Sequence, residues 1–548
     1  MKKLILFAGI VCCLSTALFA QTPAAPADAA APPAAAAPAS PAITDADVKN
    51  IAAPDAKARA NGDPDGGLTG TASDVTVSDS KKGLSIADVV NQVGQNKIAV
   101  NFVWTLITGF LVMFMQAGFA VVETGLCRAK NANHTMMMNF MVYGVGMLAY
   151  WLIGFAIQMG GVGAIGNLGG SGVLNSEYTI TLFGKSMGLF GTGGFFLMHN
   201  HSYDVMVMVI FLFQMVFMDT ALTIVTGTVA ERWKYAAFIV SSFVMGAFIY
   251  PVFANWAWGG GWLATLGTNF GLGHGYADFA GSGVVHSIGG VTALAMGILL
   301  GPRIGKFTRE GKPLAIPGHD LLLVLTGCFI LAFGWFGFNP GSTLGASGNG
   351  GLRIGSVAVN TMLAGMAGSF SAILYMWLRY GKPDASMTGN GLLAGLVAIT
   401  APSGFVNPVS SVIIGLIGGF LVCISVEFLE RKMKLDDPVG AVSVHGANGL
   451  WGVISVGLFA DGKSNYGGSW NGVSGNVTGL FYGDAGQLVA QLIGVATLIG
   501  FVFVFAFVVN WVIDLVVGQR VAAKAELEGL DLPEMGALCY PEFEIKAS

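Results

Sequence analysis

Apolar residues come in long unbroken blocks that begin near Ala99 and recur as far as residue 518. A helix needs about 20 apolar residues to cross the hydrocarbon of a bilayer. The pattern predicts eleven spans, near 99–122, 136–160, 204–229, 234–256, 281–301, 319–341, 353–378, 387–401, 405–429, 438–460 and 485–518. The eighth is short and the eleventh long. An odd count puts the two ends of the spanning domain, 99–518, on opposite sides of the membrane.

Ahead of these blocks the pattern changes. Residues 1–20 place Lys2 and Lys3 before a short apolar core and end on Ala20. This is the pattern of a cleaved signal peptide, too short to be a span. Residues 21–42 are almost all Ala and Pro, a semi-rigid linker composition. The whole of 21–98 reads as an Ala/Pro-rich periplasmic extension, polar from residue 43 on, with at most a short helix around Ser85–Val93.

Loop charge gives an orientation. One set of loops holds thirteen basic residues, among them Arg128, Lys130, Arg232, Arg303, Arg379 and Arg431. The opposite set holds three: Lys185, Arg353 and Lys463. Basic loops stay in the cytoplasm. The N-terminus is therefore expected outside and the tail, 519–548, inside, in a bacterial cytoplasmic membrane.

Composition agrees. Only 11% of residues are charged, against about 25% in soluble domains. The net charge of −4 leaves no basic surface for nucleic acid. The 80 glycines suit close helix packing, as in Gly391-x-x-x-Gly395 and Ala364-x-x-x-Gly368. The expected fold is an all-α polytopic membrane protein. Cys127, Cys328, Cys423 and Cys539 are far apart, without metal-ligand spacing.

Two histidines stand inside spans, where ionisable groups are costly. His286 lies in GSGVVHSIGG and His445 in GAVSVHGANG, each preceded by Val and followed four residues later by Gly. They fall in spans five and ten. That spacing is what a 5+5 inverted repeat with one extra helix produces. One such histidine could simply bond a neighbouring carbonyl. Two at equivalent positions point to a pair at the repeat axis, sharing one proton along a path for a small polar solute or a proton. No further ligands accompany them, so a metal is not expected. The HNHSYD segment, His199–Asp204, reads as a polar loop rather than a metal site.

Aromatic residues gather toward the outer ends of the spans: Phe213, Phe217, Trp258, Trp335, Phe336 and Phe338. Interfacial or core packing explains most such rings. The alternative is a cation site made of ring faces, worth about 0.5–2 kcal/mol.

FQMVF…TVAERW, WAWGGGWLA, DFAGSGVVH, GWFGFNPGS, DDPVGAVSVHG and VGQRV…EGLD together resemble the Amt/Mep/Rh family of ammonium transporters, of the bacterial Amt type. The resemblance runs in order from about 99 to 541. It implies a homotrimer with one pore per subunit; the sequence itself carries no cofactor motif, so no cofactor is expected. It implies that Phe213, Phe217, Trp258 and Ser342 line an outer ammonium site, and that Phe217 and Phe338 stack as a gate beneath it. His286 and His445 become the paired pore histidines. Asp278 becomes the supporting aspartate, a role that a helix-capping Asp could share. The implied tail, Arg520–Asp531, lies against the bundle, Gly529 allowing a turn. Arg520 is then expected to reach carbonyls or acidic groups such as Asp436 and Asp437.

Three positions depart from the family pattern. Asp219 follows Phe217 by two residues, where an apolar or small residue is usual. Met535 and Ala537 stand in the tail where many members have His and Glu, which bears on any P-II-type signal protein as partner. The rival to a transporter is an ammonium-sensing receptor with little flux, and the short tail leaves no room for a kinase domain. No nucleophile–base pair or phosphate loop suggests an enzyme.

Overall fold

The computed structural model describes residues 86–542 apart from 164, 166, 169–173, 198–204 and 465–467. The leader, the Ala/Pro linker and the HNHSYD segment lie outside the described residues.

Eleven helices carry the apolar blocks: α1 Ile86–Leu126, α2 Ala129–Met159, α3 Val205–Val229, α4 Tyr235–Trp258, α5 Ser282–Leu300, α6 Leu321–Phe338, α7 Gly348–Tyr380, α8 Ala385–Thr400, α9 Pro408–Met433, α10 Val442–Phe459 and α11 Ala485–Val516. Ten are long and apolar enough to cross a membrane among the described residues, and α8 is a shorter apolar helix. The eighth block is thus short in structure as in sequence. The helix expected around Ser85–Val93 is the first part of α1, so the chain enters its first span without a break.

Local chemistry sets several starts. Asp320, Asp384, Asn407 and Asp484 accept backbone N–H groups at the first turns of α6, α8, α9 and α11. Such caps satisfy donors that have no partner within the helix. Pro408 follows Asn407, at the one place where its missing N–H costs nothing.

The small-residue spacings mark the contact of α7 with α8. A Cβ on Gly395 would stand 2.2 Å from the Ala364 carbonyl oxygen, and one on Gly368 2.3 Å from that of Gly391. Backbones meet there with nothing between them.

A β-hairpin was not expected. Glu177–Leu182 pairs antiparallel with Lys185–Gly191 in the connection from α2 to α3, on the face opposite the basic loops. Its alternation, EYTITL, is legible but lies outside any apolar block.

The basic-loop face is closed by a buried ionic cluster. The Arg128 guanidinium pairs with Glu231 at 2.5 Å, and Arg303 lies 3.2 Å from Glu231 and 2.8 Å from Asp436. Arg232 adds donors to the Gly301 and Asp436 carbonyls. These contacts tie the ends of α1, α3 and α5 to the start of α10. Burial pushes the Asp436 carboxyl up, but the hydrogen bonds and charge of Arg303, with Arg232 behind it, hold it down at about 2.

The tail packs on this face. Arg520 donates to the Leu300 and Pro302 carbonyls and pairs with Glu526 at 2.9 Å. Carbonyls are therefore among its partners, but Asp436 is held by Arg303 and Asp437 by α10. Asp531 accepts the His134 N–H at 3.0 Å, and Leu530 N–H donates to Asn131 Oδ1 at 2.9 Å. Cys127, Cys328 and Cys423 are buried as expected of small apolar residues, whereas Cys539 is exposed.

Candidate functional site

The two histidine segments are built alike. Gly281 at φ +111° and Gly440 at φ +80° turn the chain into α5 and α10, in a conformation that favours glycine. Each helix then opens with a widened π turn, Ser282–Ser287 and Val442–Ala447, which carries the histidine near its end. The His286 N–H reaches back five residues to the Gly281 carbonyl at 3.0 Å. Widened turns of this kind recur at functional sites because they re-aim a side chain.

The re-aimed rings meet. His286 Nδ1 and His445 Nδ1 are 3.1 Å apart, and both rings are buried. For two neutral imidazoles that contact needs one Nδ1–H donor and one Nδ1 acceptor. His286 Nε2 is buried with no hydrogen-bond partner among the described residues. The crossing is close because glycine allows it: a Cβ on Gly290 would stand 2.1 Å from the Gly446 nitrogen.

Away from the basic loops, aromatic rings continue the row. His286 stacks on Phe338 and on Trp335, each at 5.2 Å between centroids. Phe338 lies 4.2 Å from Phe217, and Phe217 lies 4.7 Å from Phe213. Phe213, Phe217 and Phe338 are at most 2% exposed. Phe217 and Phe338 are packed directly against each other. They are core residues rather than part of an interfacial belt.

The half-buried residues stand beyond this row. Trp258 presents its ring edge-on to Phe217 at 6.2 Å. Its indole N–H donates to the Asp278 carbonyl at 2.7 Å, which fixes the ring plane. Ser342 sits in a turn, Pro340–Thr343, that follows α6, and its hydroxyl donates to the Phe338 carbonyl at 2.8 Å. With its proton so used, the Ser342 oxygen faces other groups as an acceptor.

Asp278 does two things. Its carboxylate accepts the N–H groups of Gly281, Gly283 and Val284 at 2.8–2.9 Å, capping α5, while its carbonyl holds Trp258. Burial pushes its carboxyl up to about 6, against the pull of those backbone N–H groups. Sequence reasoning missed its counterpart. Asp437, eight residues before His445 as Asp278 is before His286, accepts Ala441 and Val442 N–H groups and the Thr228 hydroxyl. The equal spacing was the available signal.

Asp219 lies apart from the ring row, buried in α3 with no partner for Oδ1 among the described residues. Nothing in the structure assigns it a task. Ala537 offers its carbonyl to the Asn133 amide at 2.9 Å, and Met535 ends the short turn Asp531–Met535.

The family model "Ammonium Transporter Family" matches residues 103–540. The chain belongs to the ammonium transporter family. Ammonium transporter Amt2 of Archaeoglobus fulgidus is 47% identical over 449 residues, covering 82% of this chain and 89% of that protein. Ammonium transporter Amt1 of Haloferax mediterranei is 37% identical over 465 residues, covering 82% of each. Among solved structures, one described as a Sensor Amt Protein has a TM-score of 0.69 at 34% identity, covering 80% of this chain and 99% of its own. Mep2 of Candida albicans has a TM-score of 0.66 at 25% identity, covering 82% and 93%. The match over 103–540 runs from α1 through α11 into the tail, and the ring row on α3, α5, α6 and α10 lies inside it.

Proposed function

We propose that this family member moves ammonium across the membrane by separating the cation into ammonia and a proton inside the pore. Ammonium is recruited at Phe213, Phe217, Trp258 and Ser342. The aromatic faces attract the charge and the Ser342 oxygen accepts an N–H. Phe217 and Phe338 gate the passage below. A bare cation crossing two packed rings loses its hydration at a cost of several kcal/mol. Neutral ammonia avoids most of that cost, and the proton follows the histidine pair. Potassium has the same charge but cannot donate a hydrogen bond or lose a proton, so it stays outside.

The observation that carries this reading is the Nδ1–Nδ1 contact of 3.1 Å directly beneath the closed Phe217–Phe338 pair. The test is current recording on proteoliposomes. Ammonium pulses should evoke current, potassium pulses none, and His286→Ala or His445→Ala should abolish or alter the ammonium response. An equal response to potassium would overturn the reading.

The basic-loop face is assigned to the cytoplasm, with 21–98 outside after removal of 1–20. The functional unit is a homotrimer, checked by native mass in detergent. The docked tail is the surface a P-II-type protein would meet, and pull-down against the trimer tests it. The 34% likeness to a Sensor Amt Protein supports a second reading, an ammonium receptor with little flux. Ammonium binding without current in the wild type would favour it.

A further inference from the structure

The histidines do not end the row of chemistry. On the basic-loop side of His445 a small cavity opens, lined among others by Phe119, Val444, His445, Asn390 and Glu123. The Phe119 ring lies 5.8 Å from that of His445. Glu123 stands one helical turn further along α1 on the same face.

Glu123 is only 2% exposed. Its Oε2 accepts the Asn139 amide at 2.8 Å and the Thr226 hydroxyl at 2.7 Å. Asn139 is itself fixed, its Oδ1 accepting the Thr223 hydroxyl at 2.8 Å. Among the described residues no hydrogen bond ends on Oε1, and no ion pair includes Glu123. One oxygen is thus held by a rigid network, while the other has no protein partner among the described residues. A carboxylate at membrane depth without a basic partner is expensive unless a proton or a cation visits it. A glutamine would serve packing as well.

We propose that Glu123 is the inner proton site of the pore, taking a proton from His445 and returning it to ammonia that has passed the gate. The proposal rests on the transport reading above. Ammonium gives up its proton at the gate, and the N–H electron pair stays on ammonia as a lone pair. The proton moves over His286 and His445 to the Glu123 carboxylate, forming an O–H bond. Ammonia arriving in the cavity takes that proton through its lone pair as the O–H bond breaks. One ammonium enters, one leaves, and the carboxylate is restored. Phe119 and the carboxylate together suit the departing cation.

The test separates charge movement from ammonia movement. Purified Glu123→Gln and Glu123→Asp are reconstituted beside wild type and protein-free vesicles. Ammonium-evoked current and alkalinisation of the lumen are recorded together. Glu123→Gln should lose at least tenfold in current while alkalinising the lumen faster than wild type, because ammonia arrives without its proton. Glu123→Asp should recover part of the current. Wild-type current in Glu123→Gln overturns the proposal, as does a loss of current with no gain in alkalinisation over wild type in a variant that elutes as folded protein. If Glu123→Gln does not fold, Glu123→Asp decides: an unchanged ratio of current to alkalinisation overturns the proposal, and a lowered one upholds it. Absence of ammonium-evoked current in wild type overturns the transport reading instead, and this proposal with it.

Discussion

Asp278 and Asp437 are counterparts. Each stands eight residues before one of the paired histidines, each precedes a left-handed glycine, and each takes the first N–H groups of a widened turn. The two carboxylates set the pitch of the two turns, and the turns set the two rings. The inverted repeat is thus visible in how the histidines are held as well as in where they fall.

It follows that Asp437 is needed for His445 as Asp278 is for His286. Asp437→Ala should cost about 1–2 kcal/mol of stability, the usual cost of a lost cap. It should also lower ammonium current by shifting His445 away from His286. Asp437→Asn keeps one acceptor oxygen and should recover most of both. Thermal midpoints in detergent and currents in proteoliposomes check this; full current in Asp437→Ala would mean that the turn holds itself.

Trp258 is pinned by its indole N–H, so its ring is a fixed wall and not a moving lid. Trp258→Leu removes the ring face and should raise the ammonium concentration for half-maximal current. A loss of up to ~2 kcal/mol of cation–π attraction is up to roughly a 30-fold rise. Potassium should stay excluded, because Phe217 and Phe338 remain closed. An unchanged concentration dependence would assign recruitment to Phe213, Phe217 and Ser342 alone.

The ionic cluster gives the protein an acid limit. The Asp436 carboxyl is held at about 2, below its ordinary 3.8. Its folded-state value is the lower one, so its contribution is full above about pH 4 and lost as pH falls toward 2. The amount is roughly 2 kcal/mol. Wild type should lose thermal stability across that window, and Asp436→Asn should be less stable at pH 7 and lose less on acidification. Glu231→Ala should be worse than either, since Arg303 and Arg128 both lose a partner; breaking a buried pair costs about 3–5 kcal/mol.

Much of this was legible in the sequence, for identifiable reasons. Spans announce themselves because lipid demands about 20 apolar residues in a row. His286 and His445 stand out because few charges survive among them. Glu123 did not, because the first apolar block ends at Val122 and the carboxylate looked like the start of a loop. The helix in fact runs on to Leu126 and keeps Glu123 inside the bundle. Asp437 was hidden by its neighbour: in DDPVG, only the eight-residue spacing shared with Asp278 and His286 tells the capping residue from Asp436, which pairs with Arg303. Contacts of that kind depend on elements more than a hundred residues apart, and periodicity carries no trace of them.

The tail offers the last prediction. A full truncation from residue 519 is a poor probe, because Gln519 is part of the bundle: its side chain accepts the Trp233 indole N–H at 2.6 Å and donates to the Asn510 carbonyl at 2.9 Å. The separable part starts after Val521. Within it Gly529 is the hinge. It sits at φ +109° and ψ 152°, and a Cβ there would stand 2.5 Å from the Lys130 carbonyl oxygen and 2.7 Å from the Lys130 Cβ. That backbone region is essentially closed to other residues. Gly529→Val should therefore lift Leu530 and Asp531 off Asn131 and His134 at the start of α2, with the sequence of every span unchanged. Proteolysis should then cut the tail after residue 529 while α1 to α11 stay intact. If the docked tail supports transport, the current should fall to the level of a chain ending at Val521. A Gly529→Val protein that resists the protease like wild type would show that the turn tolerates a side chain. One that is cut but carries full current would show that the docked tail has no part in transport.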